Sequence, residues 1–121
     1  MRNFTNDEFT CKCGCGRNNM DSDFLWNLDL AADYSESRAG YNVPYVINSG
    51  CRCPAHNKAE KSSSRNHVEG KAADIKYQNN TELMWIIIGL VLAGFHRMGI
   101  NRKYKFIHVD SMEKVISCWG Y

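Results

Sequence analysis

The sequence predicts an α+β domain: a mostly antiparallel sheet with flanking helices. Three observations carry this reading. Helical apolar spacing comes early in the chain and the strand-like runs come mainly later, the links between them are short, and no strand–helix–strand unit repeats. A chain of 121 residues matches the size of one compact unit, so a single domain over residues 1–121 is expected.

From Asp21 to Arg38, apolar residues fall at Phe24, Leu25, Leu28, Ala31 and Ala32, the stripe of an amphipathic helix. Asp21 suits its N-cap and Gly40 its stop. After Pro44, the run Tyr45-Val46-Ile47-Asn48 reads as a strand ending at the Ser49-Gly50 turn. Pro54 suits the first turn of a short helix running towards Lys61. A polar, turn-rich stretch leads to a second strand, Lys71 to Tyr77, closed by Asn79 and Asn80. Thr81 is the expected N-cap of a helix from Glu82 to Ala93. Glycines at 89, 94 and 99 then bring the chain round into a strand from Tyr104 to Val109, and a last strand is expected from Lys114 to Trp119.

Composition excludes several function classes. The net charge of +2 and the scattered basic residues do not make the clustered footprint that phosphate binding needs, so no nucleic-acid partner is expected. Lys58, Lys61, Arg65 and Lys71, diluted by Glu60 and Glu69, read as a solvated face. The most apolar segment, Leu83 to Phe95, falls short of the roughly 20 residues that cross a bilayer and reads as a buried core helix, so no membrane insertion is expected. Met1 to Thr10 holds Arg2, Asp7 and Glu8 and lacks a signal-peptide apolar stretch, which points to synthesis in the cytoplasm without ordinary secretion.

The densest chemistry lies in His67-Val68-Glu69-Gly70-Lys71-Ala72-Ala73-Asp74 and, later, Phe106-Ile107-His108-Val109-Asp110. Two imidazoles and a carboxylate make a catalytic zinc set, because three protein ligands leave a fourth tetrahedral position open to water. Strand alternation puts Phe106, His108 and Asp110 on one face. An acid two residues from a ligand then reaches either the ligand or the attacking water.

Two further pieces flank these: Ser49-Gly50-Cys51-Arg52 with Asn57, and the closing Trp119-Gly120-Tyr121. Together and in this order they resemble the D-alanyl-D-alanine carboxypeptidase family of zinc peptidases, the M15 or VanY-like peptidases. That family's hallmark looks like S-G-x-R-x-x-x-x-N, H-x-x-G-x-A-x-D, a late F-x-H-x-D and a closing W-x-Y. Phe9-Thr10-Cys11 and the Cys-Gly-Cys after it look like the start of short phage and prophage members.

The resemblance implies a fold shared with the zinc-binding domain of hedgehog proteins. It also implies zinc held by His67, Asp74 and His108, and hydrolysis of peptide bonds in bacterial cell-wall peptidoglycan by a lysin-like D,D-carboxypeptidase or endopeptidase. The target would be the cell wall, the gene that of a phage or prophage, and a monomer is the default. Arg52 would clamp a peptide carboxylate or the growing oxyanion. Asp110 would be the general base or would orient His108; Glu69 and Glu113 are the next acids to consider. Ser49, Ser64 and Trp119 are candidate substrate contacts, with core packing the alternative for Trp119. The sequence departs from the family where Arg65 replaces the usual Ser two places before the first histidine, Ser64 lying one residue further back. Lys103 and Lys105 stand where many members carry an acid before the last ligand. His56 and His96 read as surface residues.

Six cysteines carry the competing hypothesis. Cys11, Cys13, Cys15, Cys51 and Cys53 fall in two tight groups, apart from Cys118. Disulfides between the groups, free thiols and a second, structural zinc all remain open. In the zinc case the domain is a cysteine-stabilised binding module; a third reading, a non-catalytic zinc-binding relative comparable to the hedgehog domain, is opposed by the presence of Arg52 and Asp110. Close C-x-C spacing is unusual for structural zinc.

Overall fold

The computed structural model describes residues 1–59, 66–111 and 116–121. After a single 3-10 turn at Asn6–Phe9 come α1 (Ser22–Ala39), β1 (Val46–Ser49), α2 (Pro54–Ala59), β2 (Ala72–Lys76) and α3 (Asn80–Leu92). β3 (Arg97–Asn101), β4 (Phe106–Asp110) and β5 (Ser117–Gly120) complete the chain. The strands form one sheet in the order β1-β2-β4-β3-β5. Every neighbouring pair is antiparallel except β3 with β5, which is parallel. The α+β class expected from the sequence is the observed one.

Capping chemistry sets the helix ends. The Asp21 side chain accepts from the Phe24 backbone N–H (3.0 Å), and Gly40 closes α1 in the left-handed conformation at φ 80° that costs glycine least. For α3 the cap is Asn79, whose side chain accepts from Glu82 N–H (2.9 Å). This corrects the expectation of Thr81, which lies inside the first turn. Either side chain suits a cap, but the chain leaves its extended conformation at Asn79.

Two of the later strands also differ from expectation. β4 begins at Phe106, because residues 102–105 form a turn in which Lys105 adopts φ 55°. β5 is confined to Ser117–Gly120, the start expected near Lys114 lying outside the described residues, as does the continuation of α2 to Lys61. Most consequential is β3, which the sequence reading took for a glycine-rich turn. Glycine is depleted in strands, yet Gly99 sits in mid-strand because a Cβ there would collide with the Trp119 ring.

The sheet has two differently used faces. Ile47, Ala73, Ile75, Met98, Ile107 and Val109 pack against α1 and α3, whose contributions include Phe24, Leu28, Leu83, Ile86 and Leu90. Period-two alternation turns Asp74, His108 and Asp110 to the opposite face, where a register irregularity after Ile47 brings Ser49 to join them. α3 is less buried than expected. Leu83, Ile86, Gly89 and Leu90 form its inner stripe, while Met84, Val91 and Leu92 are exposed. No described helix is long and apolar enough to cross a membrane.

α1 and α3 meet at Gly89. A Cβ there would press on Ser35 Oγ, the Ala31 carbonyl oxygen and Tyr45 Oη. Ser35 Oγ donates to the Trp85 carbonyl (2.7 Å) and pairs with Tyr45 Oη at 2.7 Å, so the polar groups in this crossing are satisfied. In an unconstrained helix Gly→Ala gains about 1 kcal/mol. Here backbone blocks the methyl, so Gly89→Ala is expected to destabilise by about 1–3 kcal/mol, read as a lower midpoint in chemical denaturation. A stabilised variant would show that the two helices are not in close contact.

Candidate metal centre and cleft

One row of residues runs straight across the sheet. Ser49 pairs with Asp74, Asp74 with His108, His108 with Gly99, and Gly99 with Trp119. A register irregularity between Ile47 and Ser49 brings Ser49 opposite Asp74, as a bulge does when it re-aims a side chain. His67 reaches the row from the loop before β2, and Arg52 from the loop after β1.

Asp74 is the hub. Its Oδ1 lies 2.9 Å from His108 Nδ1 and 3.4 Å from His67 Nε2, while its Oδ2 accepts from Arg52 Nη2 at 3.3 Å. All three candidate ligands are buried. One donor atom from each of His67, Asp74 and His108 lies within 4.8 Å of the others, close enough for a single ion to touch all three.

Each imidazole is held by its other nitrogen. The Gly50 carbonyl can only accept, so His67 Nδ1, 2.7 Å away, donates to it, which turns Nε2 towards the shared point. His108 Nε2 lies 2.8 Å from Asp110 Oδ2 and donates to it, directing Nδ1 towards Asp74. An N–H acceptor behind each ligating imidazole is how metal-binding histidines are usually oriented. The donor set therefore fits a divalent ion such as zinc.

The electrostatics agree. Burial disfavours charge on Asp74, but hydrogen bonds to His108 and His67 and their charges outweigh it and hold the carboxyl far below its usual range. Burial likewise opposes a charged His108, but the bonds to Asp110 and Asp74 raise its pKa to about 9. In the metal-free protein the ring is thus a cation bridging two carboxylates, and an ion arriving at Nδ1 displaces that proton. Asp110 is also lowered, against burial, by His108 and by Arg97.

Asp110 is 2% exposed, which decides how freely it can meet solvent. Its Oδ2 also accepts from Asn66 Nδ2 (3.0 Å), and its Oδ1 accepts from Arg97 Nε (2.9 Å). Arg97 and Asn66 are the residues that sequence reasoning missed. Arg97 also lies over the Trp119 ring, 5.3 Å from its centroid.

The row forms the floor of an open cleft of about 740 Å³, whose walls include Asn48, Asn101, Tyr104, Phe106 and Tyr121. Ser49, Arg52 and Trp119 line it as well. Trp119 is half-buried, with its ring 5.8 Å from that of His108; it belongs to the cleft wall rather than the core. Arg52 Nε donates to Ser49 Oγ (3.1 Å), leaving guanidinium donors over for a ligand. Lys103, Lys105, Glu69 and His96 are exposed. Ser64, Arg65 and Glu113 lie outside the described residues.

The model of the family described as Peptidase M15 matches residues 2–110, a span that takes in the 3-10 turn, both long helices, His67, Asp74, His108 and Asp110. The chain belongs to the M15 peptidase family. Members of this family are metal-dependent peptidases, and the buried His-Asp-His set is a site in this chain that suits the metal. No curated protein matches the sequence.

His67→Ala and His108→Ala should each abolish metal binding at this site, since two remaining ligands hold a divalent ion poorly. Elemental analysis of the purified variants checks this. Unchanged metal content in both would remove the pair from the ligand set.

Proposed function

We propose that the protein is a zinc peptidase that hydrolyses peptide bonds in bacterial cell-wall peptidoglycan. The observation that carries this reading is the convergence of His67 Nε2, Asp74 Oδ1 and His108 Nδ1 on the floor of an open cleft, with Arg52 beside them. A zinc ion held there supplies Lewis acidity, polarising a carbonyl and making water a stronger acid.

The chain's own residues do the rest. The Gly50 carbonyl and Asp110 fix the two rings so that neither rotates away from the shared point. Arg52, anchored by Ser49 and Asp74, presents its remaining N–H donors to a carboxylate, which suits the free C-terminus of a short peptide. Trp119 and Phe106 supply apolar wall, and Asn48 and Asn101 polar wall, as a small peptide with methyl side chains and exposed amides requires. The resemblance of the sequence to D-alanyl-D-alanine carboxypeptidases favours peptidoglycan stem or cross-bridge peptide as that substrate, with a phage or prophage lysin as the biological setting.

The contacts of Asp110 favour a positioning role over that of general base. Both its oxygens are occupied, by His108, Asn66 and Arg97, and it is buried. On this reading Asp110→Asn weakens zinc affinity about 10–100-fold, and turnover recovers at saturating zinc. If Asp110 is instead the base, zinc stays bound and turnover falls roughly 100-fold or more at any zinc concentration.

Digestion of purified peptidoglycan, followed by mass spectrometry of the released fragments, tests the substrate. Loss of a terminal alanine identifies a carboxypeptidase, and release of cross-linked stems an endopeptidase. Intact peptidoglycan after incubation with fully zinc-loaded protein would overturn the proposal.

A further inference from the structure

A second cluster of metal-binding side chains stands beside the cleft. Cys11, Cys13, Cys15 and Cys53 bring their four sulfurs within 4.8 Å of one another. Cys11 Sγ is 3.4 Å from Cys13 Sγ, and Cys13 Sγ is 3.6 Å from Cys53 Sγ. These separations are far beyond a disulfide bond of about 2.05 Å. They are close to the spacing of about 3.8 Å between sulfurs in a tetrahedral site with metal–sulfur bonds of about 2.3 Å. Cys51, grouped with these residues in the sequence reading, is elsewhere: it is buried, and its Sγ donates to Asn19 Oδ1 (2.8 Å). Cys118 is exposed on β5.

Local backbone explains how adjacent C-x-C pairs, normally too closely spaced, can converge. Gly14 and Gly16 adopt φ 91° and 81°, left-handed values that fold the Cys11–Cys15 segment back on itself. The Cys11 backbone N–H donates to the Arg17 carbonyl (2.9 Å) and closes the loop. Three sulfurs thereby face one point, and Cys53, at the entrance to α2, supplies the fourth from a distant part of the chain.

Hydrogen-bond donors and an imidazole point at two of the sulfurs. Cys53 N–H donates to Cys11 Sγ (3.3 Å) and His56 N–H to Cys53 Sγ (3.4 Å). His56 Nδ1 lies 3.2 Å from Cys11 Sγ, so this histidine is not the plain surface residue expected.

We propose that Cys11, Cys13, Cys15 and Cys53 form a second, structural metal site that takes a thiophilic divalent ion, zinc by preference, as a tetrathiolate. Binding releases the thiol protons to solvent and leaves no open coordination position, so the site is a staple without chemistry of its own. It ties the N-terminal loop to the segment that carries Arg52, one residue before Cys53, and so fixes one wall of the cleft, to which Lys12 and His56 both contribute.

The proposal stands independently of the catalytic reading, and metal counting separates the two. Wild-type protein should carry about two zinc ions per chain, His67→Ala about one, and Cys13→Ser/Cys15→Ser about one, each variant emptying a different site. Because the double serine variant can fail to fold, cobalt reconstitution of the wild type gives a second reading. Strong sulfur-to-cobalt charge-transfer bands are expected, with Cys11, Cys13, Cys15 and Cys53 protected from alkylation until a strong chelator is added. A His67→Ala protein without metal, cobalt spectra lacking charge-transfer bands, or peptide mapping that finds these cysteines alkylated freely or joined as disulfides would each overturn the proposal.

Discussion

The buried carboxylate of Asp74 is the constraint on which the site and much of the sheet's polar face depend. An unpaired charge in that position would cost several kcal/mol. The structure offsets the cost by setting His67, His108 and Arg52 around it. Satisfying one buried anion thus gathers two imidazoles and a guanidinium at a single point. A divalent ion at that point would take the place of the proton that His108 Nδ1 shares with Asp74.

A second buried carboxylate extends the arrangement. Asp110 takes the far nitrogen of His108 and is itself neutralised by Arg97, whose cation also lies over Trp119. Charge therefore alternates from Arg52 through Asp74, His108 and Asp110 to Arg97. Each member fixes its neighbour, and the order is set by β-sheet register: Asp74 opposite His108, Ala72 opposite Asp110. The helices supply the rigid apolar backing on the other face. A cleft floor built on central strands is more exactingly held than one built on loops, and only the Arg52 and His67 arms depend on loops, one of which the cysteine cluster adjoins.

The long helices were legible because their signals are local: the apolar stripe of α1, its Asp21 cap and its Gly40 stop all act within a turn or two of chain. The residues that converge in the cleft were legible because spaced motifs survive without knowledge of the fold. β3 was not, since Gly99 argues against a strand on propensity and its reason, the ring of Trp119, arrives twenty positions later from a parallel neighbour. Missing β3 hid Arg97, whose partnership with Asp110 exists only through the β3–β4 register. Asp110 was correspondingly underdetermined: its spacing from His108 was plain, but whether its oxygens were free was a tertiary question. The cysteines were ambiguous for the same reason, because C-x-C spacing reads poorly until Gly14 and Gly16 are seen to turn the loop.

The central claim is that His67, Asp74 and His108 hold one ion through His67 Nε2, the Asp74 carboxylate and His108 Nδ1, with Asp110 behind the His108 ring. A crystal structure of the zinc-loaded protein, with anomalous scattering recorded at the zinc edge, tests it directly. The expected result is an anomalous peak about 2.0–2.2 Å from those three atoms, with His108 Nε2 still donating to Asp110. A fully loaded protein with no peak at this point, or with the ion on His108 Nε2 and the ring turned away from Asp110, would contradict it.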